Sequence, residues 1–171
     1  MLEQMRQLIS SAALLPPGSH VLCAVSGGAD SVCLLHALYH LRPILNFSLS
    51  AAHYDHGLRG EDSTRDAKFV EQFVSLCCGA QRLPDGRVLP PVKLYQEKGD
   101  VGKEATRTGA GIEETARILR YAFLRRAAQQ AGATFIATAH TADDNAETIL
   151  FHLSRGSGLR GLTGIAPRRD G

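Results

Sequence analysis

Strands and helices alternate along this chain, and the alternation implies an α/β protein: an open, mostly parallel, twisted sheet with helices on both faces. Two further observations point the same way. The first strand candidate, residues 21–26, is a continuous apolar run, as expected of a strand buried on both sides. The stretches between them carry apolar residues at helical spacing.

The elements follow in order. Residues 3–14 form a short amphipathic helix that stops at Pro16-Pro17-Gly18. Residues 21–26 (VLCAVS) are an apolar run bounded by turn residues and read as the first buried strand. A helix over 30–41 repeats Leu34, Leu35, Leu38 and Leu41. SLSAAHY (48–54) reads as a second strand, and 62–77 as a helix with Ala67, Val70, Phe73 and Val74 on one face. Residues 79–111 are rich in Gly and Pro and read as loop, with a short strand near 80–83 or 91–95. A long helix over 112–131 places Ile112, Ala116, Leu119, Phe123 and Ala127 on one stripe. TFIATA (134–139) reads as another buried strand, a helix over about 142–154 follows, and a glycine-rich tail, GSGLRGLTG, comes next.

The composition sets bounds on function. With 171 residues, the chain is expected to fold as one domain spanning 1–171. Its 44% hydrophobic and 21% charged residues exclude a disordered chain, and a net charge of +2 excludes a strongly basic nucleic-acid coat. No apolar run reaches the roughly 18 residues of a spanning helix, so no membrane association is expected. Cys23, Cys33, Cys77 and Cys78 fit neither a disulfide scaffold nor a zinc site. Cys23 and Cys33 read as small core residues, and the expected compartment is reducing, hence cytoplasmic.

The most informative segment is Ser26-Gly27-Gly28-Ala29-Asp30-Ser31, between the first strand and its helix. Glycines let the backbone approach an anion, and the N–H groups of a helix start favour negative charge. Asp30 is badly placed against bare phosphate but well placed if Mg²⁺ bridges it to phosphate oxygens. A tight turn with Asp30 stabilising the helix start accounts for the same residues. Other motifs fail. Gly102-Lys103 is followed by Glu104, so no Walker A motif is present. Gly156–Gly161 spells G-x-G-x-x-G but follows a helix instead of a strand. A nucleophile elbow is excluded by Ala24.

The loop resembles the SGGxDS motif of the PP-loop ATP pyrophosphatases. HYDHGLRGEDSTRDAKFVEQF (53–73), IEETARILRY (112–121), ATAHTADDNAET (137–148) and RGSGLRGLTGI (155–165) occur in the order seen in the N-terminal catalytic domain of tRNA(Ile)-lysidine synthetases. The resemblance implies a Rossmann-like sheet of the adenine nucleotide alpha-hydrolase type. It implies a ligase that adenylates O2 of the wobble cytidine of tRNA(Ile) with ATP, releasing pyrophosphate. Free L-lysine then displaces AMP and becomes joined to C2. It further implies that C-terminal tRNA-binding domains, which such enzymes carry, are absent here.

The same resemblance distributes roles. Ser26, Gly27, Gly28, Ala29, Asp30 and Ser31 would bind ATP, with Asp30 on the metal, and His53 and Asp55 would border the adenosine. Asp144 and Glu147 would hold the lysine substrate, and Arg117 would support catalysis. Arg59, Arg155 and Arg160 would meet phosphate or tRNA. Simpler readings stand beside these. His53 and His56 are turn or surface histidines, Thr141 and Asp144 form a capping box, and Arg117 pairs with Glu113 on a solvated face. Two other functions use the same loop: an ATP-dependent tRNA thiolase, for which paired Cys-x-x-Cys motifs are missing, and a nucleotide-binding module without catalysis.

Overall fold

A computed structural model describes residues 2–58, 61–154 and 165–166, without the side chains of 61, 62 and 151–154. It divides into two compact units, residues 1–138 and 139–171.

The first unit is built on strand β1 (His20–Ala24), whose three central residues are buried because both faces are covered. Val21, Cys23 and Val25 point into one cluster with Leu35, Leu38, Val70 and Val74. Leu22 points the other way, into a cluster with Ala52, Phe123, Leu124 and Ala127. This alternation is what places helices on both faces of a sheet. On the first face lie α1 (Leu2–Ser11), α2 (Ala29–Leu45) and α3 (Glu61–Cys77); on the second lies α5 (Ile112–Ala131).

The sheet has four parallel strands: β1, β2 (Ser48–Asp55), β5 (Lys93–Lys98) and β6 (Phe135–Ala137), in spatial order β5-β2-β1-β6. The chain winds outward from β1 through β2 to β5, then crosses back to place β6 on the other side of β1. The order therefore reverses at β1, and a crevice beyond its carboxyl end is where such sheets bind ligands. A hairpin of β3 (Gln81–Arg82) and β4 (Val88–Leu89) stands apart from the sheet.

The structure refines or departs from the sequence reading at five points. Both places offered for a short strand hold one, at 81–82 and at 93–98, and the second runs on to Lys98 as an edge of the main sheet, where only Leu94 and Tyr95 are half-buried. Within the expected loop lies a helix, α4 (Val101–Thr108), which buries only Val101 and Ala105 one turn apart. The stripe of α5 begins at Thr115, and its first residue, Ile112, is 54% exposed. β6 is shorter than TFIATA and only half-buried, since it too is an edge strand. Cys33 is half-buried instead of a core residue.

The second unit begins at residue 139. Its helix α6 (Ala142–Ser154) starts on a reciprocal cap between Thr141 and Asp144. The Ile165 amide donates to Asn145 Oδ1 at 2.6 Å, which ties residue 165 to the first turns of α6.

Candidate functional site

The glycine loop leaves β1 at its carboxyl end and enters α2 through Gly28, the residue that precedes the helix. Gly27 has φ +97°, a conformation that glycine adopts without steric cost. A β-carbon there would also stand 3.3 Å from Cβ of Asp66 on α3. Ser31 closes the loop from inside. Its buried hydroxyl donates to Gly28 O at 2.8 Å and accepts from Ser26 N–H at 3.1 Å. The Ser26 and Ser31 hydroxyls are 3.1 Å apart, and Gly28 N–H donates to Ser26 Oγ at 3.3 Å.

This arrangement leaves the start of α2 suited to an anion. No side chain caps the helix at Gly28. The N–H groups of Ala29, Asp30 and Ser31 fall in the first turn, where an α-helix offers them no internal partner. Together with the helix dipole they attract negative charge. Asp30 is exposed in that same turn.

His53 supports the loop from β2. It is 4% exposed, and its Nδ1 donates to Val25 O at 2.8 Å, one residue before the loop begins. Among the described residues, its buried Nε2 has no hydrogen-bond partner. His53 is thus neither a turn nor a surface histidine. His56, beyond the strand, is half-buried beside Tyr54, with ring centroids 5.0 Å apart. Burial lowers its pKa, and the charge of Arg120 lowers it further.

Asp55 ends β2 and holds the rim of the sheet. Its Oδ1 accepts from Gly57 N–H at 2.8 Å, its Oδ2 lies 3.7 Å from Lys98 Nζ, and its carbonyl accepts from Gly99 N–H. The rim is tight. A β-carbon on Gly57 would come within 2.5 Å of Gly99 O, and one on Gly99 would overlap the Tyr54 hydroxyl.

The loop residues and His53 therefore share one hydrogen-bonded frame, and Asp55 stands two residues further along the same strand. Arg117 lies on the exposed side of α5, its guanidinium 6.0 Å from the Tyr121 ring centroid. Asp144 and Glu147 belong to the second unit. There Asp144 Oδ2 accepts from Thr141 N–H at 2.6 Å and from Thr141 Oγ1 at 2.9 Å, so the capping box is real. Glu147 is exposed one turn on. Arg59, Arg155 and Arg160 lie outside the described residues.

Sequence reasoning missed Asp66, the carboxylate that backs Gly27. Its signal was available: it falls one turn before Val70 and two before Val74, on the row of α3 that faces the core.

The family described as PP-loop domain matches residues 1–170. The chain belongs to the PP-loop family. The chain is 42% identical over 165 residues to the tRNA(Ile)-lysidine synthase of Dehalococcoides mccartyi, covering 96% of this chain and 32% of that protein. It is 42% identical over 172 residues to that of Symbiobacterium thermophilum, covering 100% of this chain and 33% of the other. This PP-loop chain thus spans about a third of the length of those relatives. A U34-tRNA thiolase from Methanococcus maripaludis superposes with a TM-score of 0.66 at 17% identity, covering 93% of this chain and 50% of that one. At that identity the likeness is one of fold.

Proposed function

We propose that this chain is the ATP-using part of a tRNA(Ile)-lysidine synthase. Its reaction would adenylate O2 of a wobble cytidine and then join the ε-amine of free L-lysine to C2. The observation that carries this reading is the frame around Ser26–Ser31, set at the carboxyl end of the central strand. The 42% identity to lysidine synthases over nearly the whole chain selects this chemistry from the others that use such a loop.

Each residue then has a task. The N–H groups of Ala29, Asp30 and Ser31 receive phosphate oxygens and stabilise the charge that develops on departing pyrophosphate. The Ser31 hydroxyl is spent on folding the loop, so its part is positional. His53 fixes the carbonyl of Val25 and so the direction in which the loop leaves β1. Among the described residues, no three His, Cys, Asp or Glu side chains converge as a metal site. That fits Mg²⁺, which is commonly held by one or two carboxylates together with substrate phosphates. Asp30 is the residue to hold it, and bound there the ion would neutralise charge on the triphosphate.

For lysine, the proposal assigns Asp144 and Glu147. Hydrogen bonds from the Thr141 amide and then its hydroxyl lower the Asp144 pKa. The carboxylate therefore stays charged at neutral pH, as an ammonium partner must. Asp144 caps α6 through Oδ2. Arg59, Arg155 and Arg160 are assigned to tRNA phosphates by their chemistry, since guanidinium groups pair with phosphate.

The test measures pyrophosphate release from ATP and Mg²⁺ together with transfer of labelled lysine to tRNA(Ile). Expected are tRNA-dependent pyrophosphate release and lysine incorporation, both lost in Asp30→Ala with the circular dichroism spectrum unchanged. Release of pyrophosphate with sulfur transfer and no lysine would select the thiolase chemistry. Nucleotide binding without any release would leave a binding module.

A further inference from the structure

His36 and His40 lie one turn apart on the exposed side of α2, outside the glycine loop. Their rings meet edge to face with centroids 4.4 Å apart. Phe73 of α3 stands edge-on to His36 at 6.3 Å, and Tyr39 edge-on to His40 at 5.3 Å. Both imidazoles are thus held in orientation by neighbouring rings on a rigid helix. Their Nε2 atoms converge to 3.1 Å.

That separation has two readings. One ring nitrogen can donate its proton to the other's lone pair, or both lone pairs can face a shared cation. For metal–nitrogen bonds of about 2.0–2.1 Å, a 3.1 Å bite subtends roughly 100° at the ion, between the octahedral and tetrahedral angles. Spacing of i and i+4 on one helix face is also how two histidines are presented to zinc in helical metal sites.

We propose that His36 and His40 form a two-imidazole chelate for a divalent transition-metal ion, Zn²⁺ in the first instance, with water completing its coordination. Imidazole is a borderline ligand and suits Zn²⁺ better than Mg²⁺, so the site differs in chemistry from the Asp30 carboxylate. A bound ion would clip the second and third turns of the helix whose first turn carries the glycine loop.

The test is calorimetric titration of the nucleotide-free chain with Zn²⁺ alone. One saturable site is expected, and His36→Ala and His40→Ala should each weaken it at least tenfold. Both side chains are exposed, so neither change should unfold the protein. Zn²⁺ should raise the Tm of the unaltered chain and leave that of His40→Ala unmoved. Cys77→Ser, a change at an exposed thiol on the neighbouring helix, should leave the affinity as it was. Binding that survives both histidine changes, that vanishes in Cys77→Ser, or that fails to saturate below millimolar Zn²⁺ would overturn the proposal and leave a hydrogen-bonded histidine pair.

Discussion

Gly99 carries no motif, yet the rim of the sheet depends on it. The Tyr54 hydroxyl occupies the space that a β-carbon there would need. Gly99→Ala should therefore destabilise the protein by about 1–3 kcal/mol, the usual cost of overpacking. Tyr54→Phe in the same chain should recover part of that loss. Urea denaturation checks both, and an unchanged midpoint for Gly99→Ala would mean the rim yields freely. Asp144 gives a second prediction at this scale. Its pKa is lowered in the folded state by hydrogen bonds from Thr141. A depressed carboxyl contributes stability above its unfolded pKa, near 3.9, and loses it as pH falls through the folded value. Thr141→Val removes the hydroxyl but keeps the amide, so the Asp144 pKa should rise only part of the way. Carboxyl NMR titration measures this, and an unmoved value would take the hydroxyl out of the cap.

Among elements, the β3–β4 hairpin has no place in the main sheet, and its flanks are tied to α2 by Arg42, with the Tyr39 hydroxyl also donating to Gly79 O. Arg42 of α2 is 2% exposed and donates to Gln81 Oε1 at 2.6 Å, Pro90 O at 2.9 Å and Gly79 O at 3.2 Å, while lying over the Tyr39 ring. Removing it strands Gln81 Oε1 and Pro90 O, while Gly79 O keeps the Tyr39 hydroxyl at 3.0 Å. Arg42→Ala should cost roughly 2–4 kcal/mol, and amide exchange should quicken through residues 79–92 before the rest. Uniform exchange across the chain would show that the hairpin is held otherwise. Legibility also varied by element. β1 could be read because burial on both faces makes its core apolar, and β2 because small and apolar residues, Leu49, Ala51 and Ala52, run through it although Ser50, His53 and Asp55 are buried with them. α5 could be read because its twenty residues repeat a buried stripe. β5 could be read only in part, as a short strand near 91–95, since an edge strand keeps polar residues: Gln96, Glu97 and Lys98 resemble loop. α4 was overlooked although its ends are marked by Asp100, which accepts from Lys103 N–H, and by Gly109 at φ +71°. Eight residues with two buried positions give too little periodicity to register.

For the molecule as a whole, topology turns a short motif into a site. Strand order β5-β2-β1-β6 puts the reversal at β1, and Ser26–Ser31 follows that strand. The loop was legible because its residue types are unusual: paired glycines between hydroxyl groups, with a carboxylate at a helix start. The parts that support it were not, because they arrive from far along the chain. His53 reaches Val25 across 28 residues and Asp66 meets Gly27 across α3, and neither pairing leaves a mark in local spacing. The account's central claim is that the first turn of α2 receives the phosphates of ATP. Backbone amide NMR during titration with ATP and Mg²⁺ tests it residue by residue. The largest shifts should fall on Gly27, Gly28, Ala29, Asp30 and Ser31, with smaller ones at His53. Saturable shifts centred elsewhere, or no shift in this loop at millimolar ATP, would contradict it.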